Sequence, residues 1–241
     1  MNYCYNGASV AYKFVDRGSK SVVVFLHGWG RSGEDFKPFE NLLENKSLLI
    51  LDFPPFGGSE FDPSKWSIFS YANMVISLCE SLEISSCDFI GHSFGGRIAI
   101  IIAALKCSLV HSCILVDSAG LKPKRTIKYR YKVFKHKICK KFGKVSNSGS
   151  RDYQALSPEM KELFKNIVNT HLDEFCHLIK AKTLIIWGKD DKETPFYMAK
   201  RLNKKIENSR LEILENSGHF SFLEKRLEFF CLVNDFLKEE K

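Results

Sequence analysis

Gly91-His92-Ser93-Phe94-Gly95-Gly96 follows the apolar pair Phe89-Ile90 and precedes a strongly apolar run over residues 98–105. That context reads as a strand, a one-residue corner and a helix, with Ser93 at the corner. A serine hydroxyl is a poor nucleophile unless it is held away from the backbone, offered to a base, and placed where backbone N–H groups can hold the oxyanion it creates. A sharp strand-to-helix corner meets all three needs. It also brings strand and helix so close that side chains at positions 91 and 95 would collide, which accounts for glycine at both. Gly96 lets the helix lie near the sheet.

Outward from this stretch, strand and helix alternate. Residues 22–26 form a continuous apolar run, as in a strand buried on both faces, and lead into His27-Gly28-Trp29-Gly30. Residues 35–43 carry Phe36, Phe39, Leu42 and Leu43 at helical spacing, and residues 48–51 are a second buried strand that ends in the turn-rich stretch 52–59. A helix over 67–82 is expected to bury Phe69, Ala72, Val75, Ile76 and Cys79, and residues 112–116 are a further strand. At the N-terminus, residues 3–14 read as a hairpin turning at Asn6-Gly7.

The alternation stops at Leu121. Residues 121–180 read as an inserted helical lid. Ile127, Tyr131, Phe134 and Ile138 form an apolar stripe with Lys and Arg on the other faces, Gly143 ends that helix, and 145–150 is a loop. Ser157 and Pro158 open a second lid helix that buries Leu163, Ile167 and His171 or its neighbours. The core then resumes with a strand over 183–187, a helix opened by Thr194-Pro195, a strand over 211–214 and a last helix over 222–237. The expected fold is α/β: a doubly wound, mostly parallel sheet built from residues 1–120 and 181–241, with the lid inserted between them.

A chain of 241 residues suits one such domain without disulfides or metals. The eight cysteines form no C-x-x-C pair, which argues against zinc and for a reducing compartment. The N-terminus lacks the basic and apolar regions of a signal peptide, and the longest apolar run is too short to cross a bilayer, so a cytoplasmic protein is expected. The net charge of +8 is concentrated, because residues 118–151 hold twelve Lys or Arg and no Asp or Glu. Such a segment is either a solvated face or the docking surface for an acidic partner, a carrier protein or an anionic membrane; no nucleic acid is expected.

Ser93 needs a base, and the base needs an orienting acid. In a parallel sheet the loops after the strands' carboxyl ends gather on one edge, and two of them carry suitable groups. They are Gly188-Lys189-Asp190-Asp191 and Asn216-Ser217-Gly218-His219, which leaves either aspartate open as the acid.

Together His27 to Gly30, residues 52–59, Gly91 to Gly96, residues 188–195 and Ser217-Gly218-His219 resemble the α/β-hydrolase fold family, lidded branch, over nearly the whole chain. The resemblance implies Ser93 as nucleophile, His219 as general base and then acid, and Asp191 as the acid, because the family's G-x-x-D-x-x-x-P pattern falls on Gly188, Asp191 and Pro195. It implies an oxyanion hole made by the amides of Trp29 and Phe94, and no cofactor or metal. Asp117, at the end of its own strand, is a reserve acid that some relatives use, and Asp190 or Asp191 caps the helix at Pro195. Glu224 is followed by Lys225-Arg226, where relatives often carry a proline.

For function, the resemblance implies an ester or thioester hydrolase working through an acyl-enzyme. The stretch 26–30 is similar to the loop of carboxylesterases that demethylate pimeloyl-carrier-protein esters. The alternatives are a lyase or carbon–carbon hydrolase using the same triad, since Ser93 to Arg97 is similar to members that eliminate pyruvate from a menaquinone precursor, or a binding protein that keeps the site as a pocket. Arg97 has two readings, pairing with a carboxylate inside the fold or meeting a substrate carboxylate, and joins Tyr131 and Phe134 as a candidate substrate-binding residue.

Overall fold

Every residue of Val22–Leu26, Ser47–Leu51 and Cys87–His92 is buried, which a strand tolerates only when both sheet faces are covered. The computed structural model describes residues 1–124 and 156–238, and those three strands stand at the centre of its sheet. In chain order the strands are β1 Asn2–Tyr5, β2 Ala8–Val15, β3 Val22–Leu26, β4 Ser47–Leu51, β5 Cys87–His92, β6 Val110–Val116, β7 Lys182–Gly188 and β8 Ser209–Leu214. They pair in the order β1-β2-β4-β3-β5-β6-β7-β8. The β1–β2 and β2–β4 pairs are antiparallel and the remaining pairs parallel, and β1 and β2 are the expected hairpin, turning through Asn6 and Gly7 at positive φ.

The order reverses at β3, which has β4 on one side and β5 on the other. A crevice opens at the carboxyl ends of strands at such a switch point. Both the loop after β3, His27 to Gly30, and the corner after β5, Ser93, lie there.

One apolar cluster covers each sheet face. On one face, α1 Ile68–Ser81 and α2 Phe94–Leu105 pack against Val24, Leu26, Phe89 and Leu115. On the other, Phe36, Phe39, Phe222, Phe229 and Phe236 cover Val23, Phe25, Ile90 and Ile114. α1 starts from a capping box in which Ser67 and Ser70 satisfy each other's amides. This start sets the buried stripe as Ile68, Tyr71, Ala72, Val75, Leu78 and Cys79, so two residues expected inside change place. Phe69 is half-exposed beside Phe175, and Ile76 is only partly buried.

Three other local expectations are corrected. Residues 35–43 do not form an α-helix; Gly33–Phe39 is a 3-10 helix, and Pro38, which lacks an N–H and crowds the preceding turn, stops it from propagating as α. Thr194-Pro195 does not open the next helix, α4, which spans Tyr197–Lys205, because Thr194 is held in hydrogen bonds to Asp117 and Asp191. The last helix breaks at Lys225 into α5 Ser221–Glu224 and α6 Arg226–Lys238.

The first expected lid helix, with Tyr131 and Phe134, and most of the basic stretch fall outside the described residues. The second is α3 Pro158–Asn169, capped by Ser157, whose hydroxyl accepts from the Met160 amide at 3.2 Å. Met160, Leu163 and Ile167 are buried, as are Leu172 and Cys176 beyond it, whereas His171 is only half-buried. Among the described residues no helix is long and apolar enough to cross a membrane.

Arg97 ties α3 to the core. Its Nη1 donates to the carbonyls of Ile167 and Thr170, both at 2.9 Å, at the end of α3, where carbonyls carry partial negative charge and that of Ile167 has the capping Thr170 amide besides. The reading that Arg97 pairs with a buried carboxylate is thereby corrected: helix-end carbonyls take that place. The side chain is buried at the wall of the cavity described below, and burial pulls its pKa down to about 10. Arg97→Ala removes two charge-assisted hydrogen bonds and takes the guanidinium from the Thr170 carbonyl, while that of Ile167 keeps the Thr170 amide, and is expected to lower stability by about 2–4 kcal/mol. Urea unfolding measures this, and a loss below about 1 kcal/mol would contradict the account.

Candidate active site

Ser93 sits at φ 49°, ψ −105°, a left-handed conformation costly for any residue but glycine. The fold holds it there. Its amide donates to the Val116 carbonyl at 3.0 Å, and its carbonyl accepts from the amides of Arg97 and Ala119. A Cβ added at Gly91 would lie 2.6 Å from the Gly95 carbonyl oxygen, and one at Gly95 would lie 2.0 Å from that of Leu26. No side chain fits either gap, so the expected collision of strand and helix is real and extends to β3.

The loops after β7 and β8 deliver the partners. Nε2 of His219 is 2.9 Å from Ser93 Oγ, and Nδ1 of the same ring is 2.8 Å from Asp191 Oδ2. With Asp191 ionised, Nδ1 carries the proton and Nε2 presents a lone pair to the hydroxyl. Burial pulls the His219 pKa down, but the bond to Asp191 and its charge, helped by Glu193 and Asp117, outweigh it and leave the net shift upward. Burial pushes Asp191 up, and its bonds from His219 and Thr194 bring it below the usual carboxylate value.

The three candidate aspartates separate cleanly. Asp191 is a helix-type cap and the imidazole's partner at once, because Oδ1 accepts from the amides of Glu193 and Thr194 at 2.7 and 2.9 Å while Oδ2 faces His219. Asp190 is exposed and joins the loop through its amide, which donates to the Ser217 carbonyl. Asp117 is fully buried and bonds elsewhere: Oδ1 accepts from the Gly188 amide at 2.7 Å and Oδ2 from the Ser221 hydroxyl and amide. It therefore braces the acid loop against the segment after His219. Burial pushes its pKa up to about 7, against the pull of those hydrogen bonds.

Trp29 and Phe94 flank the hydroxyl. Gly28 packs so close to the corner that a Cβ there would lie 2.9 Å from His92 Nδ1 and 3.6 Å from Ser93 Cβ. Neither the Trp29 nor the Phe94 amide has an acceptor among the described residues. His27 shapes this loop: Nδ1–H donates to the Gly28 carbonyl, Nε2 accepts from the Phe53 amide, both at 2.7 Å, and burial lowers its pKa to about 4. The cavity in front of Ser93 has a volume of about 440 Å³, and its lining includes Trp29, Phe94, Leu156, Phe164, Ile167 and Met198, with Arg31, Arg97 and Glu193 as its charged groups among the described residues.

Sequence reading missed Thr194 and Glu193 as supporting residues, while His92, expected to flank the nucleophile and line the pocket, does line it, and Glu224, noted only for the residues after it, has a bonding role. Thr194 donates from Oγ1 to Asp191 Oδ2 at 2.6 Å, and the Gly218 amide donates to Glu224 Oε2 at 2.9 Å. His92 donates from Nε2 to the His219 carbonyl at 2.7 Å, with burial lowering its pKa to about 3. Glu193 reaches His219 from the cavity mouth. Thr194 and Glu193, lying between Asp191 and Pro195, had a position that could have singled them out.

The model of the alpha/beta hydrolase family matches residues 23–231. The chain is 28% identical to the uncharacterized hydrolase YugF of Bacillus subtilis over 98% of this chain and 97% of that one. It is 24% identical to a 2-hydroxy-6-oxo-2,4-heptadienoate hydrolase of Pseudomonas putida over 93% of this chain and 92% of that one. Among solved structures, a bacterial membrane phospholipase A superposes with a TM-score of 0.82 at 20% identity, covering 99% of this chain and 85% of that one, which is a likeness of fold.

The site's electrostatics are open to direct measurement. The His219 imidazole is expected to titrate above its ordinary 6.5, and in Asp191→Asn, where burial acts alone on that edge, below it. By linkage, the raised value stabilises the folded protein below pH 6.5, and this contribution fades as pH rises through the folded-state pKa. Histidine NMR titration reads both proteins; a wild-type value at or below 6.5 would show that burial, not Asp191, dominates.

Proposed function

The chain belongs to the alpha/beta hydrolase family, and on that premise we propose that it is a serine hydrolase cleaving a carboxylic ester or thioester through an acyl-enzyme. One observation carries the reading: Ser93 Oγ, both nitrogens of His219 and Asp191 Oδ2 form a continuous hydrogen-bonded line at 2.9 and 2.8 Å, opening on a largely apolar cavity.

In this mechanism the Ser93 oxygen attacks the carbonyl carbon as its proton passes to His219 Nε2. The oxygen that gains charge is held by the amides of Trp29 and Phe94, which are free to donate. Asp191 stays ionised and stabilises the imidazolium. As the tetrahedral species collapses, the leaving oxygen or sulfur takes the Nε2 proton and departs, with the acyl group left on Ser93. Water then gives a proton to Nε2, attacks the acyl carbon, and releases the carboxylic acid while Ser93 regains its hydrogen.

An ester needs nothing beyond these groups and an apolar surface for its acyl chain, which Phe94, Phe164, Ile167 and Met198 offer. The carbon–carbon reading, suggested by the P. putida relative, calls for a cation to hold an acidic substrate. Arg97 has the charge, but Nη1 is committed to the end of α3.

Ser93→Ala is expected to cut turnover of short-chain aryl esters by about 10⁶, as when triad members act as a unit, and to abolish labelling by a fluorophosphonate. Activity within tenfold of wild type would sink the proposal. Asp191→Asn should lose up to about 10⁴ in turnover by favouring the wrong imidazole tautomer, whereas Asp190→Asn stays near wild type. If Asp190→Asn and Asp191→Asn prove equally damaging, the assignment of the acid fails.

A further inference from the structure

Glu193 lies two residues beyond Asp191 and is not needed for the line of hydrogen bonds from Ser93 to that carboxylate. Its Oε2 is nonetheless 3.4 Å from His219 Nε2, the nitrogen that also faces Ser93. The side chain is 69% exposed and lines the mouth of the cavity. Among the described residues, the other charged groups of the lining, Arg31 and Arg97, both make hydrogen bonds within the fold. Arg31 is held in two hydrogen bonds by Asp35 and lies over the Phe220 ring, and Arg97 is bonded to the end of α3. On Glu193's own loop, Lys189 pairs with Glu215. Among the described residues the ionic partner of Glu193 is His219, once its imidazole is protonated.

We propose that Glu193 selects the leaving group, favouring esters whose alcohol portion carries a positive charge near the scissile oxygen over those carrying a carboxylate or phosphate there. The inference rests on the serine-hydrolase reading, since it uses that reaction's geometry. A leaving oxygen must come within about 3 Å of Nε2 to collect its proton, which puts it within roughly 6 Å of Glu193 Oε2. Substituents one or two carbons beyond that oxygen are in the same range. The acyl portion is bonded to Ser93 instead, so a charge at its far end lies outside this constraint. Trp29, Phe164 and Phe220 also line the cavity, and aromatic faces attract an ammonium group.

At roughly 6 Å, in a mouth wet enough to screen strongly, one charge is worth roughly a three- to tenfold preference, which salt erodes. Glu193 should also act on the acid limb of the pH profile. His219 is faced by Asp191, Asp117 and His92 from other elements and by Glu193 from the mouth, and the Glu193 charge favours the imidazolium. Without that charge the imidazole loses its proton at lower pH, so the limb moves down.

The test compares kcat/KM at low ionic strength for three butyrate esters: choline, its uncharged tert-butyl isostere, and an alcohol of similar length ending in carboxylate. Wild type is expected to prefer choline over the isostere, and the isostere over the carboxylate, by roughly three- to tenfold each. Glu193→Gln should flatten both ratios to within about twofold and lower the acid-limb pKa, and Glu193→Lys should invert them. Equal ratios in wild type and Glu193→Gln would overturn the proposal. So would an equal response to the same charges moved to the far end of the acyl chain, because that would be the field of the whole protein. Fluorophosphonate labelling separates the two failures. If Ser93 labels but the ratios do not respond to Glu193, or none of the butyrates is cleaved, the selectivity is wrong and the hydrolase reading stands. If Ser93 neither labels nor supports cleavage of any ester, the hydrolase reading falls and this inference falls with it.

Discussion

The end of β3, the end of β5 and the first turn of α2 meet with no room for a side chain, and the hydroxyl of Ser93 projects from that contact. Leu26, Gly91 and Gly95 touch backbone to backbone, so the chain must reverse within one residue, and Ser93 takes a conformation that an isolated serine would leave. Three backbone hydrogen bonds, to Val116 and from Arg97 and Ala119, stop it from relaxing. The same packing sets Gly28 against the corner, beside His92 and Ser93. Strain at one residue is offset by packing across three strands and a helix, which makes the corner rigid enough to aim a hydroxyl.

The other half of the site stands on carboxylates with divided duties. Asp191 turns one oxygen to its own loop and the other to His219, so the group that orients the imidazole is oriented by the amides of Glu193 and Thr194. Asp117 sits behind it and clamps Gly188 to Ser221, the two segments on which Asp191 and His219 ride. A Cβ on Gly188 would come 2.1 Å from the Gly218 carbonyl oxygen, so these loops pack as closely as the corner does. Positions on separate strands are thereby held to hydrogen-bonding distance.

Charge at the cavity is organised by the same economy of partners. Arg97 gives Nη1 to the end of α3, and Arg31 is pinned by Asp35, so both cations hold contacts within the fold. The Glu193 carboxylate, whose ionic partner among the described residues is His219, faces the mouth.

By itself the sequence determined the alternating strands, the corner at Ser93, and the two loops where a base and an acid had to be sought, because each depends on neighbours within a few residues: buried apolar runs, glycines where backbones touch, turn residues after strands. The same locality explains its errors. Spacing could not show that Pro38 tightens residues 33–39 into a 3-10 helix, or that the capping box at Ser67 turns Phe69 outward, since each outcome is settled by competition between nearly equal local structures. Only the tertiary structure decided which aspartate faces His219 by geometry, that Asp117 is a brace, that Arg97 meets helix carbonyls, and that Glu193 reaches the imidazole. Those contacts join residues far apart in the chain, and their distances follow from how the sheet twists and its loops pack, which no spacing along the sequence encodes.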